Sequence, residues 1–482
     1  MIQFEIKKIP GRTGEFSYDI KALALDFYPA KTCVVTERED WAGQEGYPLV
    51  CRMDGEELLA VTLPKGYNKN TVKSAIYDVF VKKTGLHLPW GILTGIRPVK
   101  IPLRLLWDGK TRQEIENILK QEYRMDAYKI RLAIDVAQRE NALTHRFRHD
   151  IGYNLYVGIP FCPTICQYCT FSSFPYEKYK KHVDHYLSAL EKEMKFVAER
   201  FRQRELHTVY VGGGTPTSLT EEQLGRLLGL IHKYFPAGRD VEYTVEAGRP
   251  DSITPGKLRL LKEAGVTRIS INPQTMKQMT LDILGRRHSV EQVGEAFYRA
   301  REMGFDNINM DLIVGLPRED EVDFFNTMNR IQAMDPDSIT IHTLVVKRAS
   351  DMRRKQMESG HGMHLWENVN PVLQRASEDY LRGLGYEPYY LYRQKNKAGT
   401  TNNTSQENVA YARPGKECLY NIFIMEEMET IVALGCGGST KQVFHTGNRM
   451  ERIENIKGVE EYMERIDEMI ERKRIAFSES GW

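Results

Sequence analysis

The chain has 482 residues, 41% of them apolar and 27% charged, with 67 basic residues against 65 acidic. That length supports two or three domains with sizeable cores, and a net charge of +2 gives no broad field to draw in nucleic acid or an anionic membrane. Residues 1–16 (MIQFEIKKIPGRTGEF) lack the apolar stretch of a secretion signal and no run of 18 apolar residues occurs, so a cytoplasmic protein without a membrane span is expected.

Residues 1–148 read as a mixed α/β module. Strand-like runs cover Ile2–Ile6, Ala22–Phe27, Thr32–Thr36 and Leu58–Thr62, and helical spacing covers Thr71–Thr84, Thr111–Gln121 and Tyr128–Ala142. No catalytic constellation shows in this module. Leu88–Pro98 (LPWGILTGIRP) reads as a packed Pro/Gly-rich connector between helices.

From Leu155 the rhythm becomes strand then helix, the signature of βαβ units on a parallel sheet. The strands are expected at Leu155–Ile159, Thr208–Val211, Glu242–Val245, Arg268–Ile271, Asn307–Val314 and Ser338–Val346. Between the first two, Tyr176–Phe201 places Tyr179, Val183, Leu187, Leu190, Met194, Val197 and Phe201 on one face of a helix. Six such units predict a partial (β/α)6 barrel over residues 149–346, with its chemistry at the C-terminal ends of the strands. Residues 347–482 form a C-terminal α+β segment expected to cover the substrate. It holds a helix at Asn368–Gly383, a Tyr/Gly/Asn-rich stretch at Tyr386–Asn421 with a loop-like middle at Gln394–Asn408, and a tail helix at Val459–Arg474. The charges of that tail read as a solvated face.

The most informative residues are Cys162-Pro-Thr-Ile-Cys166-Gln-Tyr-Cys169, directly after the strand-like Tyr156–Phe161. Three soft thiolates on one tight loop suit three irons of a [4Fe–4S] cube, leaving the fourth iron open to a substrate. A zinc site wants a fourth Cys or His at matching spacing, and none follows nearby. Cys33, Cys51, Cys418 and Cys436 are scattered and read as small buried hydrophobes in a reduced compartment. After the second strand, Val211–Thr217 (VGGGTPT) lets a ligand approach the main chain, N–H groups taking a carboxylate and C=O groups an amine. Glu246 ends the third strand with a carboxylate at the expected barrel mouth, where leaving it unpaired is costly; a salt-bridged structural glutamate is the plainer alternative.

With the aromatic Tyr168 before its third cysteine, the C-x3-C-x2-C motif resembles the radical S-adenosylmethionine (SAM) superfamily. The flank Tyr156…Ile159-Pro-Phe-Cys162 narrows the resemblance to the oxygen-independent coproporphyrinogen III oxidase group. That group holds HemN-type oxidases, HemW-type haem chaperones and HemZ-type coproporphyrinogen dehydrogenases. The resemblance implies that Cys162, Cys166 and Cys169 hold the cluster. It also implies a SAM site in which Gly213, Gly214 and Thr215 hold the amino and carboxylate ends and the backbone of Tyr156 lies beside the adenine, with Tyr168 nearby. Glu246 is then a ligand to the methionine or ribose part, Gln274 and Asp311 meet ribose hydroxyls, and Arg286 meets the carboxylate. The implied activity is cleavage of SAM to methionine and a 5′-deoxyadenosyl radical, which removes a hydrogen from a coproporphyrinogen III propionate; loss of CO2 and an electron leaves a vinyl group. The implied partners are a tetrapyrrole and an electron donor such as a flavodoxin or ferredoxin.

Departures from the group's patterns sharpen the reading. Phe171 stands where HemN-type oxidases have a fourth cysteine, and Gly158 where they have a histidine. Tyr420–Met425 (YNIFIM) lacks the HN-x-x-YW of the HemW-type chaperones. Tyr389–Asn396 and Leu434–Thr440 resemble the HemZ branch most, and Arg393 and Lys395 become candidates to pair with tetrapyrrole propionates. Two other readings stay open: a haem-trafficking protein without decarboxylase activity, and radical chemistry on another tetrapyrrole such as anaerobic haem ring opening.

Overall fold

The computed structural model describes residues 1–8, 16–41, 46–64, 67–236, 238, 240–344, 371–394, 407–444 and 449–479. Among these the chain forms two compact units: residues 1–141 with 371–374, 391–394 and 407–408, and the remainder from residue 142.

In the first unit, β1 (Ile2–Lys7), β2 (Cys33–Arg38), β3 (Tyr47–Met53) and β4 (Glu56–Leu63) form a sheet in the order β2-β1-β3-β4. Helices Ser17–Phe27 and Lys69–Thr84 close one core with it, around Phe4, Leu23, Phe27, Ile76 and Phe80. The strand expected at Ala22–Phe27 is therefore the second half of a helix, with Ile20, Leu23, Ala24 and Phe27 on its buried side. A six-residue run with five apolar positions fits a buried strand and a helix face equally well. Strand β3, which sequence reading passed over, carries Pro48 and Arg52 yet pairs on both edges.

The connector Leu88–Pro98 has a clear packing role. Trp90 is buried and donates Nε1 to Glu407 Oε1 at 2.5 Å, while Lys129 Nζ meets Glu407 Oε2 at 2.6 Å. Arg393 donates to the carbonyl of Leu93, places Nη2 3.1 Å from Asp26 Oδ2, and bonds through its main-chain N–H to Ile96 O. Its guanidinium thus has partners within the fold, which favours a structural role over the candidate pairing with a substrate propionate. Lys395, and most of the expected loop at Gln394–Asn408, lie outside the described residues.

The second unit is built on β5 (Gly152–Ile159), the two-residue pair β6 (Phe161–Cys162) and β7 (Phe174–Pro175), and then β8 (Glu205–Gly213), β9 (Glu242–Glu246), β10 (Arg268–Ser270), β11 (Ile308–Val314) and β12 (Ser338–Thr343). The chain continues through β13 (Glu387–Arg393), β14 (Glu407–Ala412), β15 (Thr430–Leu434), β16 (Ser439–Phe444) and β17 (Arg449–Glu454). The large sheet runs β13-β14-β12-β11-β10-β9-β8-β5-β15-β16-β17. The six expected strands are neighbours in chain order and parallel throughout. A seventh, β15, pairs in parallel with the outer edge of β5, Leu434 opposite Val157. The sheet therefore stays open and is longer by strands that return from the C-terminal segment. The helix expected at Tyr176–Phe201 is split into Tyr176–Tyr179 and Val183–Phe201, and the second part buries Val183, Leu187, Leu190, Met194, Val197 and Phe201.

The tail forms two helices, Val459–Glu464 and Ile466–Glu479, and its charges are not all solvated. Lys473 is fully buried, with Nζ 2.8 Å from Glu193 Oε1 and 2.7 Å from Asn455 Oδ1. Glu193 also accepts from the Gly435 N–H at 2.8 Å and the Tyr462 hydroxyl at 2.7 Å. An isolated buried carboxylate is prohibitively costly and a fully bonded one is not, so the expected solvated face is corrected at this lysine. At the start of β15 a second buried carboxylate, Glu429, accepts from Asn154 and meets the Nδ1 atoms of His149 and His207 at 2.7–3.0 Å. No described helix is long and apolar enough to cross a membrane.

Candidate active site

The cysteine loop hangs from the C-terminal end of β5 and is fixed at several points. Phe161 and Cys162 pair with Phe174 and Pro175, Cys169 N–H bonds to Cys166 O at 3.0 Å, and Gln167 N–H bonds to Leu284 O at 3.0 Å. None of the three cysteines is in a disulfide, and all three are half-buried. Thr215 Oγ1 donates to Cys162 Sγ at 3.5 Å, Arg286 and Arg249 approach Cys166 Sγ at 3.8 and 4.0 Å, and Ser173 Oγ lies 4.0 Å from Cys169 Sγ. Burial pushes the Cys162 thiol up to about 12, so a metal bound there must displace a proton.

Beside the loop, β8 ends in Gly212-Gly213-Gly214. Gly213 has φ +105°, open to glycine and strained for other residues. A Cβ at Gly212 would stand 2.7 Å from the Glu246 carboxyl carbon, and one at Gly214 2.7 Å from Phe161 O. The N–H groups here are already used: Gly213 donates to Glu246 Oε2 at 3.2 Å, Gly214 to Ile159 O at 2.8 Å and Thr215 to Phe161 O at 2.7 Å. Of the two contacts expected from this turn, the carbonyl-to-amine contact therefore fits the geometry better than N–H donation to a carboxylate.

Glu246 is held from both sides, since Tyr210 also donates to Oε1 at 2.6 Å. Burial pushes its carboxyl up to about 7, aided by the Asp311 charge and opposed by the Tyr210 bond. A folded value above the ordinary 4.5 means the folded chain favours the protonated form. Its contribution to stability is complete below pH 4.5 and is lost as pH rises to about 7, up to about 3 kcal/mol. Unfolding free energies from pH 5 to 8 should thus show Glu246→Gln gaining on the wild type as pH rises; parallel profiles would refute the shift.

Tyr156 stacks on Tyr210 (6.3 Å, 17°) and Tyr210 on Tyr420 (4.4 Å, 22°), so three near-parallel rings lie under the glycine turn. Tyr420 is placed by the helix Leu419–Glu426, whose first N–H groups, on Leu419 and Tyr420, bond to Glu242 at 2.6 and 3.1 Å.

Across the sheet, Tyr168 packs on Leu284, Ile313, Leu316 and Leu344 and meets Arg286 Nη1 at 3.4 Å. Arg286 Nη2 donates to Gly248 O at 3.0 Å and Asn272 O at 2.6 Å. Asn272 Oδ1 in turn accepts from Asp311 N–H at 3.3 Å, which links Arg286 to β11. Asp311 accepts from Asn309 at 2.7 Å and has His342 Nε2 at 3.7 Å. Burial raises its carboxyl, but His342, Asn309 and Thr340 together hold it below the ordinary range. Gln274 has φ +67° and exchanges main-chain bonds with β11, its N–H to Asp311 O at 2.9 Å.

Of the SAM and cluster residues named from sequence, the cysteines and Tyr168 lie on the loop after β5. Gly213, Gly214, Thr215, Glu246 and Gln274 lie at or just past the ends of β8, β9 and β10, Tyr156 and Asp311 within β5 and β11, and Arg286 just past the helix Gln278–Ile283. Tyr210, Tyr420, Arg249, Asn272 and His342 complete the rim and had not been singled out. Tyr210 and His342 sit on expected strands, so alternation along the strand was the available signal; Tyr420 had none.

Residues 156–331 match the model of the radical SAM superfamily. The chain is 38% identical over 409 residues to the oxygen-independent coproporphyrinogen-III oxidase-like protein HemZ of Bacillus subtilis (strain 168), covering 84% of this chain and 80% of that protein. The chain belongs to this radical SAM family. Over 193 residues it is also 40% identical to the heme chaperone HemW of Bacillus subtilis (strain 168), covering 40% of this chain and 50% of the relative. Coproporphyrinogen III oxidase (HemN) from Escherichia coli superposes with a TM-score of 0.52 at 23% identity, over 66% of this chain and 70% of that one, and so shares its fold.

The residues present fit the two groups that a radical SAM protein implies. Three cysteines on one loop, none in a disulfide, with two buried guanidinium groups beside the middle one, suit the ligation of a cluster. Among the described residues no three His, Cys, Asp or Glu side chains converge as a single metal ion requires, and a cube, which takes each thiolate on a separate iron, does not ask for this. A glycine cradle that a Cβ would fill and two carboxylates on β9 and β11, on either side of β10, suit a small polar cofactor.

Proposed function

We propose that this radical SAM protein oxidatively decarboxylates propionates of coproporphyrinogen III to vinyl groups in anaerobic haem biosynthesis. The carrying observation is that the Cys162–Cys169 loop and the Gly212–Gly214, Glu246 and Asp311 rim share one face, in a chain related over most of its length to HemZ. A reduced [4Fe–4S] cluster on Cys162, Cys166 and Cys169, with SAM, supplies the 5′-deoxyadenosyl radical. In this reading Glu246, Gln274 and Asp311 orient the ribose and methionine parts, the carbonyls of the glycine turn take the amine, Tyr156 and Tyr168 border the cofactor, and Arg286 meets the carboxylate. Each propionate loses CO2, a hydrogen atom and one electron, the electron passing to a one-electron acceptor. Electrons reach the cluster from a carrier such as a flavodoxin or ferredoxin.

Gly158 bears on proton handling. A Cβ there would stand 3.1 Å from Leu434 O, so a side chain at this position would need β15 to yield.

The test is anaerobic turnover with dithionite, SAM and coproporphyrinogen III. It should yield 5′-deoxyadenosine and a product short of two carboxyl groups, while Glu246→Ala and Asp311→Ala weaken SAM binding without loss of iron. The HemW relationship gives the second reading: haem bound stoichiometrically, with coproporphyrinogen left intact, would establish a carrier instead. An opened haem ring with released iron would move the chemistry to degradation.

A further inference from the structure

Cys166 differs from its two fellow cysteines in its surroundings. Cys162 and Cys169 have a neutral hydroxyl nearby, from Thr215 and Ser173. Cys166 Sγ lies between two guanidinium groups, Arg286 at 3.8 Å and Arg249 at 4.0 Å. Arg286 already belongs to the SAM reading. Arg249 does not, and it is only 3% exposed.

Arg249 follows β9 and is held with unusual completeness. Its Nε and Nη2 form a two-point pair with Asp251 at 2.9 and 2.7 Å, the fork geometry that fixes a guanidinium plane. Its Nη1 then reaches the cysteine loop, donating to Thr164 Oγ1 at 3.0 Å and Thr164 O at 3.3 Å as well as pointing at Cys166. His288, fully buried with neither ring nitrogen hydrogen-bonded, has Nδ1 4.0 Å from Asp251. Burial and the neighbouring arginines hold it neutral, down at about 3, so Arg249 is the cation that answers Asp251.

We propose that Arg249, set in place by Asp251, is a positioning residue: it seats the cysteine loop and raises the reduction potential of the cluster by fixing a positive charge beside Cys166. The inference rests on the cluster reading above. Iron–sulfur potentials follow net charge and hydrogen bonds to sulfur. Reduction adds an electron, so a nearby cation favours the reduced state and a nearby carboxylate opposes it. The two members of the pair therefore act with opposite signs, which a purely structural pair does not.

The experiment is a potentiometric titration, followed by electron paramagnetic resonance, of anaerobically reconstituted full-length protein with iron counted per chain. Arg249→Met should lower the midpoint enough to cut the ratio of reduced to oxidised cluster about tenfold at fixed poise, which is about 59 mV for one electron. Asp251→Asn should raise the midpoint. Arg249→Lys keeps the charge and should keep the midpoint near wild type while holding less iron. If Arg249→Met retains too little iron to titrate, the Arg249→Lys and Asp251→Asn results decide. Shifts of the same sign in the Met and Asn variants, or no shift in either, overturn the inference and leave the cluster reading intact. A wild-type chain that takes up no iron overturns the cluster reading and this inference with it.

Discussion

Serine in place of Cys162, Cys166 or Cys169 is expected to abolish a stoichiometric iron–sulfur cluster in each case, whereas Cys33→Ser and Cys418→Ser leave it in place. Oxygen-free reconstitution of the wild type should give a brown protein with about four irons per chain, the content of one cube. The contrast is sharp because the two sets of thiols differ physically. Cys418 is fully buried, with Sγ 3.4 Å from Glu242 Oε1, and Cys33 packs at the edge of the first unit's core. The loop cysteines are half-buried and stand beside cationic and hydroxyl donors. A colourless wild-type protein carrying one zinc per chain would sink the assignment.

Lys473→Met should be among the most damaging single changes far from the rim. It leaves the Glu193 carboxylate buried without its cation, and breaking such a pair costs about 3–5 kcal/mol. For a unit of this size that is a fall in Tm of roughly 5–8 °C. Lys192→Met is the control: its side chain is 60% exposed and its ion pair with Asp467 spans 3.9 Å, so the change should be within about 0.5 kcal/mol. Replacing both partners, as in Glu193→Leu with Lys473→Met, should recover part of the loss because no lone charge is left behind. Thermal melts of the four proteins settle it, and a Lys473→Met melt matching wild type would refute the role.

What could be read from sequence follows the range of the forces involved. The cysteine triplet, the glycine turn and the strand-ending Glu246 are local patterns, and the structure puts them on one rim. Ala22–Phe27 was misread because a six-residue, mostly apolar run does not separate a period of two from one of 3.6. Strand β15 was missed because a run of four apolar residues after a threonine, TIVAL, becomes a sheet strand only through the edge of β5 that it meets. Lys473 was misread for a related reason: a basic residue looks solvated until a buried carboxylate far off in sequence, Glu193, answers it. Tyr420 belongs to the ring stack only because Glu242 anchors the first turn of its helix.

Strand β5 carries the cysteine loop, yet one of its edges is completed by residues made about 270 positions later. At 5–20 residues per second, ribosomes need on the order of 15–55 s to supply them. During that interval the emerging chain presents an apolar strand with an open edge, the kind of template that recruits wrong partners. The interval also closes late, since the turn after β15 is locked by Glu193 only once Lys473 has arrived. Full pairing of β5 therefore waits for β15, and a chain cut before Thr430 should yield aggregates in place of partially working protein.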